Sequence, residues 1–131
     1  MSGSAFAAIE AVDYTVILTR DMGGMRAFYE QVLGFKIDRQ LSENWTEYRL
    51  GATILALSNP VLTAGDAPMP QGTAALQLAF RVPVEAVDAC HAELVAQGIP
   101  IVSPPTDRPF GHRTLFFRDP DGNLLEIYAE I

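Results

Sequence analysis

Cysteine is almost missing from this chain. Cys90 is the single one among 131 residues, so no disulfide can close within it. A lone thiol is what the reducing cytoplasm favours, and a cytoplasmic location is expected. Histidine is also scarce, with only His91 and His112, which excludes a His-rich metal cluster. Basic residues are few: 9 Lys and Arg against 16 Asp and Glu leave a net charge of −7. That balance argues against nucleic acid and anionic membranes as partners. No apolar run approaches the roughly 18 residues that a membrane span requires. The opening "MSGSAFAAIEAVDY" lacks a basic start followed by an apolar stretch, so no signal peptide is expected. No phosphate loop, nucleophile elbow, dinucleotide fingerprint or CxxC pair occurs.

What is present suits one globular domain spanning 1–131. Apolar residues make up 49% and charged residues 19%, and a chain of this size buries roughly 68% of its unfolded surface. The pattern along the chain is one unit used twice. "VDYTVILTRD" (12–21) reads as a strand. "MGGMRAFYEQVLGF" then places Met25, Phe28, Tyr29, Val32 and Leu33 at helical spacing, with Asp21 to cap the helix and Gly34 to end it. Three strand candidates follow, at 35–41, 45–50 and 53–58. Residues 59–72 are rich in Pro, Gly and Ala and read as a loop. The second half repeats the order: a strand over 74–82, a helix over 84–98 ended by Gly98, then strands over 99–105, 112–119 and 123–130. Asp119-Pro-Asp-Gly-Asn123 is the last turn, with Gly122 free to take a positive φ. The division is a first βαβββ module over 9–60, a linker over 61–72 and a second βαβββ module over 73–131. A repeated βαβββ unit, with helices on one side of each sheet, is α+β.

One residue in this pattern raises a question. Glu126 interrupts "NLLEIY", a strand that is otherwise apolar, and a carboxylate there is costly unless it is paired or wet. Alternation puts Leu124, Glu126 and Tyr128 on one face and Leu125, Ile127 and Ala129 on the other.

Through "VDYTVILTRDMGGMRAFYEQVLGF" and "FRDPDGNLLEIY" the chain resembles the vicinal oxygen chelate superfamily. That superfamily includes glyoxalase I, extradiol dioxygenases, fosfomycin-resistance thiol transferases and bleomycin-resistance proteins. The resemblance extends over nearly the whole chain. It implies the glyoxalase/bleomycin resistance/dioxygenase-type fold, in which two βαβββ modules form a half-barrel cleft, and a homodimer whose half-barrels are completed within one chain or by exchange of modules. In metal-dependent members the first and last strands of each module supply the ligands. Here those places fall on Tyr14, Ala56, Gln77 and Glu126. A transition metal wants at least three good imidazole, thiolate or carboxylate donors, and this set holds one. No metal or other cofactor is therefore expected.

In the family's geometry Tyr14, Gln77 and Glu126 face the cleft, where a hydroxyl, an amide and a carboxylate suit a hydrogen-bonded cluster. Glu126 is the candidate acid–base group or the anchor for a cationic ligand group. Trp45, Tyr48, Phe110, Phe116 and Tyr128 are the candidate aromatic walls, and His112 is a candidate at the start of its strand. Aromatic walls with a few polar groups suit a flat organic ligand. Phe117 reads as core, and Cys90 as a small buried hydrophobe. "VSPPTDRPFG" (102–111) reads as a semi-rigid rim over the cleft. The expected function is metal-independent binding of a small organic molecule, such as a toxin or antibiotic. The alternative is a lyase, isomerase or dioxygenase of the same superfamily, with or without a metal.

Overall fold

The computed structural model describes residues 4–8, 10, 14–58 and 76–131, so the linker assigned to 61–72 lies outside the described residues. The first unit runs β1 (Tyr14–Leu18), α1 (Met22–Ala27), β2 (Ile37–Ser42), β3 (Trp45–Leu50) and β4 (Thr53–Ser58). The second runs β5 (Gln77–Arg81), α2 (Val84–Ala96), β6 (Ile101–Asp107), β7 (His112–Arg118) and β8 (Leu124–Glu130). Each unit folds its four strands into one sheet, ordered β1-β4-β3-β2 and β5-β8-β7-β6. In both sheets the first and last strands of the unit pair in parallel and the remaining neighbours are antiparallel. The registers coincide: Tyr14 stands opposite Ile54 as Gln77 stands opposite Leu124. Ala56 in the first sheet therefore holds the place of Glu126 in the second.

Asp21 starts α1 as the sequence suggests, its carboxylate accepting the Gly24 N–H at 3.0 Å. The expected single helix differs in its second half. After Ala27 the chain continues as a π-helical turn over Phe28–Val32, closed by Leu33 N–H donating to the Phe28 carbonyl at 3.1 Å. The wider turn brings consecutive Phe28 and Tyr29 into the core together, both less than a tenth exposed.

The "SPP" stretch is expected both to close a strand over 99–105 and to belong to a rim over 102–111, and the strand prevails. Pro104 and Pro105 lie inside β6, and only Arg108–Gly111 forms a turn beyond it. Proline has no N–H for a ladder, so it is tolerated on an edge strand and at irregularities. β6 is such an edge, and its pairing with β7 shifts between Ser103 and Thr106.

The core lies on the helix side of the sheets. Leu125, Ile127 and Ala129 are buried while Leu124, Glu126 and Tyr128 stay partly open, as alternation requires. α2 lies across β6, β7 and β8. The units join through this same side: the Phe28 and Phe117 rings are 6.3 Å apart and the Phe35 and Phe80 rings 5.7 Å apart. The "DPDGN" turn anchors the join. The Asp119 carboxylate accepts the backbone N–H groups of Asp121 and Asn123 at 3.0 and 2.9 Å and the Asn123 side-chain amide at 2.8 Å. It also accepts the Tyr29 hydroxyl at 2.8 Å. Burial, then the Asp119 charge, pushes the Tyr29 phenol far above its usual range.

Candidate functional site

The second sheet holds its polar groups on the face away from α2. Gln77 on β5 donates its side-chain amide to Glu126 Oε1 on β8 at 3.2 Å. That bond answers for the carboxylate in an apolar strand: Glu126 is half-buried, paired, and on a face open to water. The face forms a cavity of about 480 Å³ in which Phe110, His112, Thr114 and Phe116 join Gln77 and Glu126. His112 stacks on Tyr128 with ring centroids 4.8 Å apart, and Phe110 meets the imidazole edge-on at 5.2 Å. Phe110 itself is 70% exposed, at the mouth.

Tyr14 does not join the Gln77–Glu126 pair. It lies on β1, in the other sheet, and its ring packs edge-to-face against Trp45 at 6.3 Å. Within one chain, two of the three expected members come together. Trp45 in turn donates its indole N–H to Glu47 Oε2 at 2.7 Å. Glu47 stands opposite Ala56, so the first sheet carries a carboxylate one strand over from the place of Glu126.

Tyr48 needs correction as a wall of the cleft. It is one residue out of phase with that role: Trp45, Glu47 and Arg49 share one face of β3, and Thr46 and Tyr48 the other. Tyr48 is fully buried in the core beside Tyr29 and Phe35. Its hydroxyl donates to Glu30 Oε2 at 2.8 Å, and Arg26 Nε reaches the same oxygen at 2.8 Å. Hydrogen bonding to Arg26, then to Tyr48, holds the Glu30 carboxyl below its usual range. Phe117 is core, as expected. Arg113 is paired with Asp107 at 2.6 Å. Cys90 is partly buried, and burial raises its thiol pKa.

The sequence reading missed Arg108. Its side chain is half-buried along the cavity, Nε donating to Thr114 Oγ at 2.9 Å and Nη2 to Ser103 Oγ at 3.3 Å. The signal was the "RPFG" turn between two strands, which sets an arginine at a hairpin mouth. Glu47 was legible too, two residues beyond Trp45 on one strand.

A larger cavity, about 670 Å³, lies between the two units on their helix side. Val32, Leu33, Phe35, Leu78, Phe80 and Leu94 are among its walls. Its walls are mainly apolar, with Arg81 and Glu93 among the few charged groups, whereas the smaller cavity holds the hydrogen-bonded Gln77–Glu126 pair, so the smaller cavity is the better candidate.

The metal question turns on donors. Tyr14, Ala56, Gln77 and Glu126 supply one carboxylate and no imidazole. Among the described residues no three His, Cys, Asp or Glu side chains are grouped closely enough to hold a metal. These residues do not fit a transition-metal centre.

The chain is similar to virulence protein STM3117 of Salmonella typhimurium, 30% identical over 125 residues that cover 91% of this chain and 83% of that one. The crystal structure of that protein superposes with a TM-score of 0.75, covering 94% of this chain and 98% of that one at 29% identity. Lactoylglutathione lyase from Agrobacterium tumefaciens shares the fold, with a TM-score of 0.76 at 24% identity over 93% of this chain and 95% of that one. A glyoxalase/bleomycin resistance protein/dioxygenase from Nocardioides does so with a TM-score of 0.80 at 23% identity over 95% and 85%. Residues 11–127 match the family model, and with the paired βαβββ sheets in place the chain belongs to the Glyoxalase/Bleomycin resistance protein/Dioxygenase superfamily.

Proposed function

We propose that the open face of the second sheet binds a small organic molecule and that it does so without a metal ion. The observation that carries this is the Gln77–Glu126 pair set in a cavity with Phe110 and Phe116. Ring faces hold the flat body of a ligand, and the remaining carboxylate oxygen accepts a hydrogen bond or a cationic group from it. The donor set at the family's metal positions supports the metal-free part. The protein acts by holding its ligand stoichiometrically, as in sequestration of a toxin or antibiotic, and Glu126 is the anchor. Two copies of the chain pair in this reading. Tyr14 and Leu18 on β1 are 49% and 44% exposed, an apolar edge that a second copy would cover.

Metal analysis of untagged protein tests the reading, joined with thermal melts in Zn²⁺, Ni²⁺, Mn²⁺ and Fe²⁺ and with light scattering. The expected result is a dimer with substoichiometric metal and an unchanged melting temperature in wild type. A near-stoichiometric metal, or a clear melting shift in wild type, would overturn the metal-free reading. Glu126→Gln is expected to fold normally and to lose affinity mainly for cationic ligands.

A further inference from the structure

We propose that Arg108 makes this cavity selective for an oxyanion, so that its ligand carries a carboxylate or phosphonate at one end of an apolar or aromatic body. The inference rests on the reading of the cavity as a small-molecule site and names the class of molecule it takes. Four other arginines, Arg26, Arg49, Arg81 and Arg113, lie within 4.0 Å of a carboxylate. Arg108 makes no ion pair among the described residues, and its two side-chain hydrogen bonds go to neutral hydroxyls. Those bonds orient the guanidinium without neutralising it.

They also choose which edge stays open. A guanidinium presents five N–H groups, in two forks that each match the two oxygens of a carboxylate. Nε and Nη2 form the side-on fork, and Thr114 and Ser103 occupy it. The end-on fork, Nη1 with the second Nη2 hydrogen, remains for a ligand. A fork held in place before binding loses little freedom when it pairs with an anion.

The sheet register places the opposite pole. Ser103 stands opposite Phe116, and Phe116 opposite Glu126. The three form one row across β6, β7 and β8, so the backbone positions of Ser103 and Glu126 are two strand spacings apart, roughly 10 Å. The guanidinium, held by Ser103 on β6 and Thr114 on β7, and the carboxylate on β8 line one cavity with Phe116, and such a pair of charges fits a bipolar ligand. Its oxyanion meets Arg108, its flat body lies over Phe116, and a hydroxyl or amino group meets Glu126.

The test is an NMR titration of ¹⁵N-labelled full chain with phenylacetate, phenylphosphonate and the neutral phenylacetamide. Phenylacetate is expected to move the amides of Phe110, Thr114, Phe116 and Glu126, and to bind more tightly than phenylacetamide. Arg108→Gln is expected to weaken the anions about tenfold or more and phenylacetamide far less. Arg108→Lys keeps charge without a fork and retains part of the affinity. Thr114→Val removes one positioning hydroxyl at constant charge and weakens the anions several-fold. Tighter binding of phenylphosphonate than of phenylacetate would support the inference and assign the phosphonate class. Equal binding of phenylacetate by wild type and Arg108→Gln, with phenylacetamide still bound, would overturn it while the cavity's role stood. No perturbation by any of the three probes would overturn both. Should Arg108→Gln fail to fold, the wild-type preference for phenylacetate over phenylacetamide and the Thr114→Val titration decide.

Discussion

Tyr29→Phe removes one oxygen and nothing else from the join between the two units. The ring keeps its contacts with Phe28, Phe35 and Tyr48, at centroid distances of 5.4, 5.7 and 6.2 Å. What is lost is the 2.8 Å hydrogen bond to Asp119, between groups that are both buried. A buried hydrogen bond to a charged acceptor contributes about 1.5–3 kcal/mol. Asp119 keeps three N–H donors, so its charge is not abandoned and the loss belongs at the lower end, about 1.5–2 kcal/mol. Urea unfolding at pH 7, followed by circular dichroism at one protein concentration, measures it. A loss under about 0.5 kcal/mol would refute the assignment of this bond as a tie between the units. Alkaline pH supplies an independent check with a definite sign. The folded-state pKa of Tyr29 is raised above the unfolded value near 10. Its contribution is therefore complete below pH 10 and is lost as pH rises toward the folded value, because the unfolded chain releases the proton first. Phenylalanine has no proton to release. The stability gap between wild type and Tyr29→Phe should narrow by about 1.4 kcal/mol between pH 9 and pH 11. A gap independent of pH would show that the phenol is not buried as described.

Tyr48→Phe should cost about 1 kcal/mol in urea unfolding, because Glu30 loses one of its donors and keeps Arg26. The same variant should bind small aromatic probes as wild type does, since the hydroxyl lies on the core side of β3; a large loss of affinity would return Tyr48 to the cleft. Gly122→Ala should cost about 1–2 kcal/mol. Gly122 has φ 92°, and nothing lies within 4 Å of an added Cβ, so the cost is that of the backbone alone. Unfolding indistinguishable from wild type would show that the turn can take another form.

Much of this molecule was legible because its signals are local. Asp21 before a helical pattern predicted a cap, and "DPDGN" predicted a turn with a positive φ at Gly122. Alternation in "LLEIYA" separated Leu125 and Ile127 from Glu126 and Tyr128 without any knowledge of the fold. Tyr48 shows the limit: its residue type suited a cleft wall, but the phase of β3 turned it into the core. The π-helical turn at Phe28–Val32 left no signal, because spacing by three and four fits an α-helix equally well. The prolines of β6 fitted both the strand over 99–105 and a rim over 102–111, and the strand prevails because β6 is an edge, which a sequence does not announce.

The chain by itself determined the repeated βαβββ order, the apolar face of each strand, the turns, and the family through "FYEQVLGF" and "DPDGNLLEIY". Those follow from backbone preferences and from side-chain periods of 2 and 3.6, which act over a few residues. Only the tertiary structure decided which polar groups share a surface. It joined Gln77 to Glu126 across 49 positions of sequence, left Tyr14 with Trp45, tied Tyr29 to Asp119, and set Arg108 on two hydroxyls with its charge unspent. Such meetings depend on strand order, register and the packing of one sheet's helix side against the other. No local preference encodes that information, because each contact is closed by a chain segment whose length and sequence do not specify where it returns.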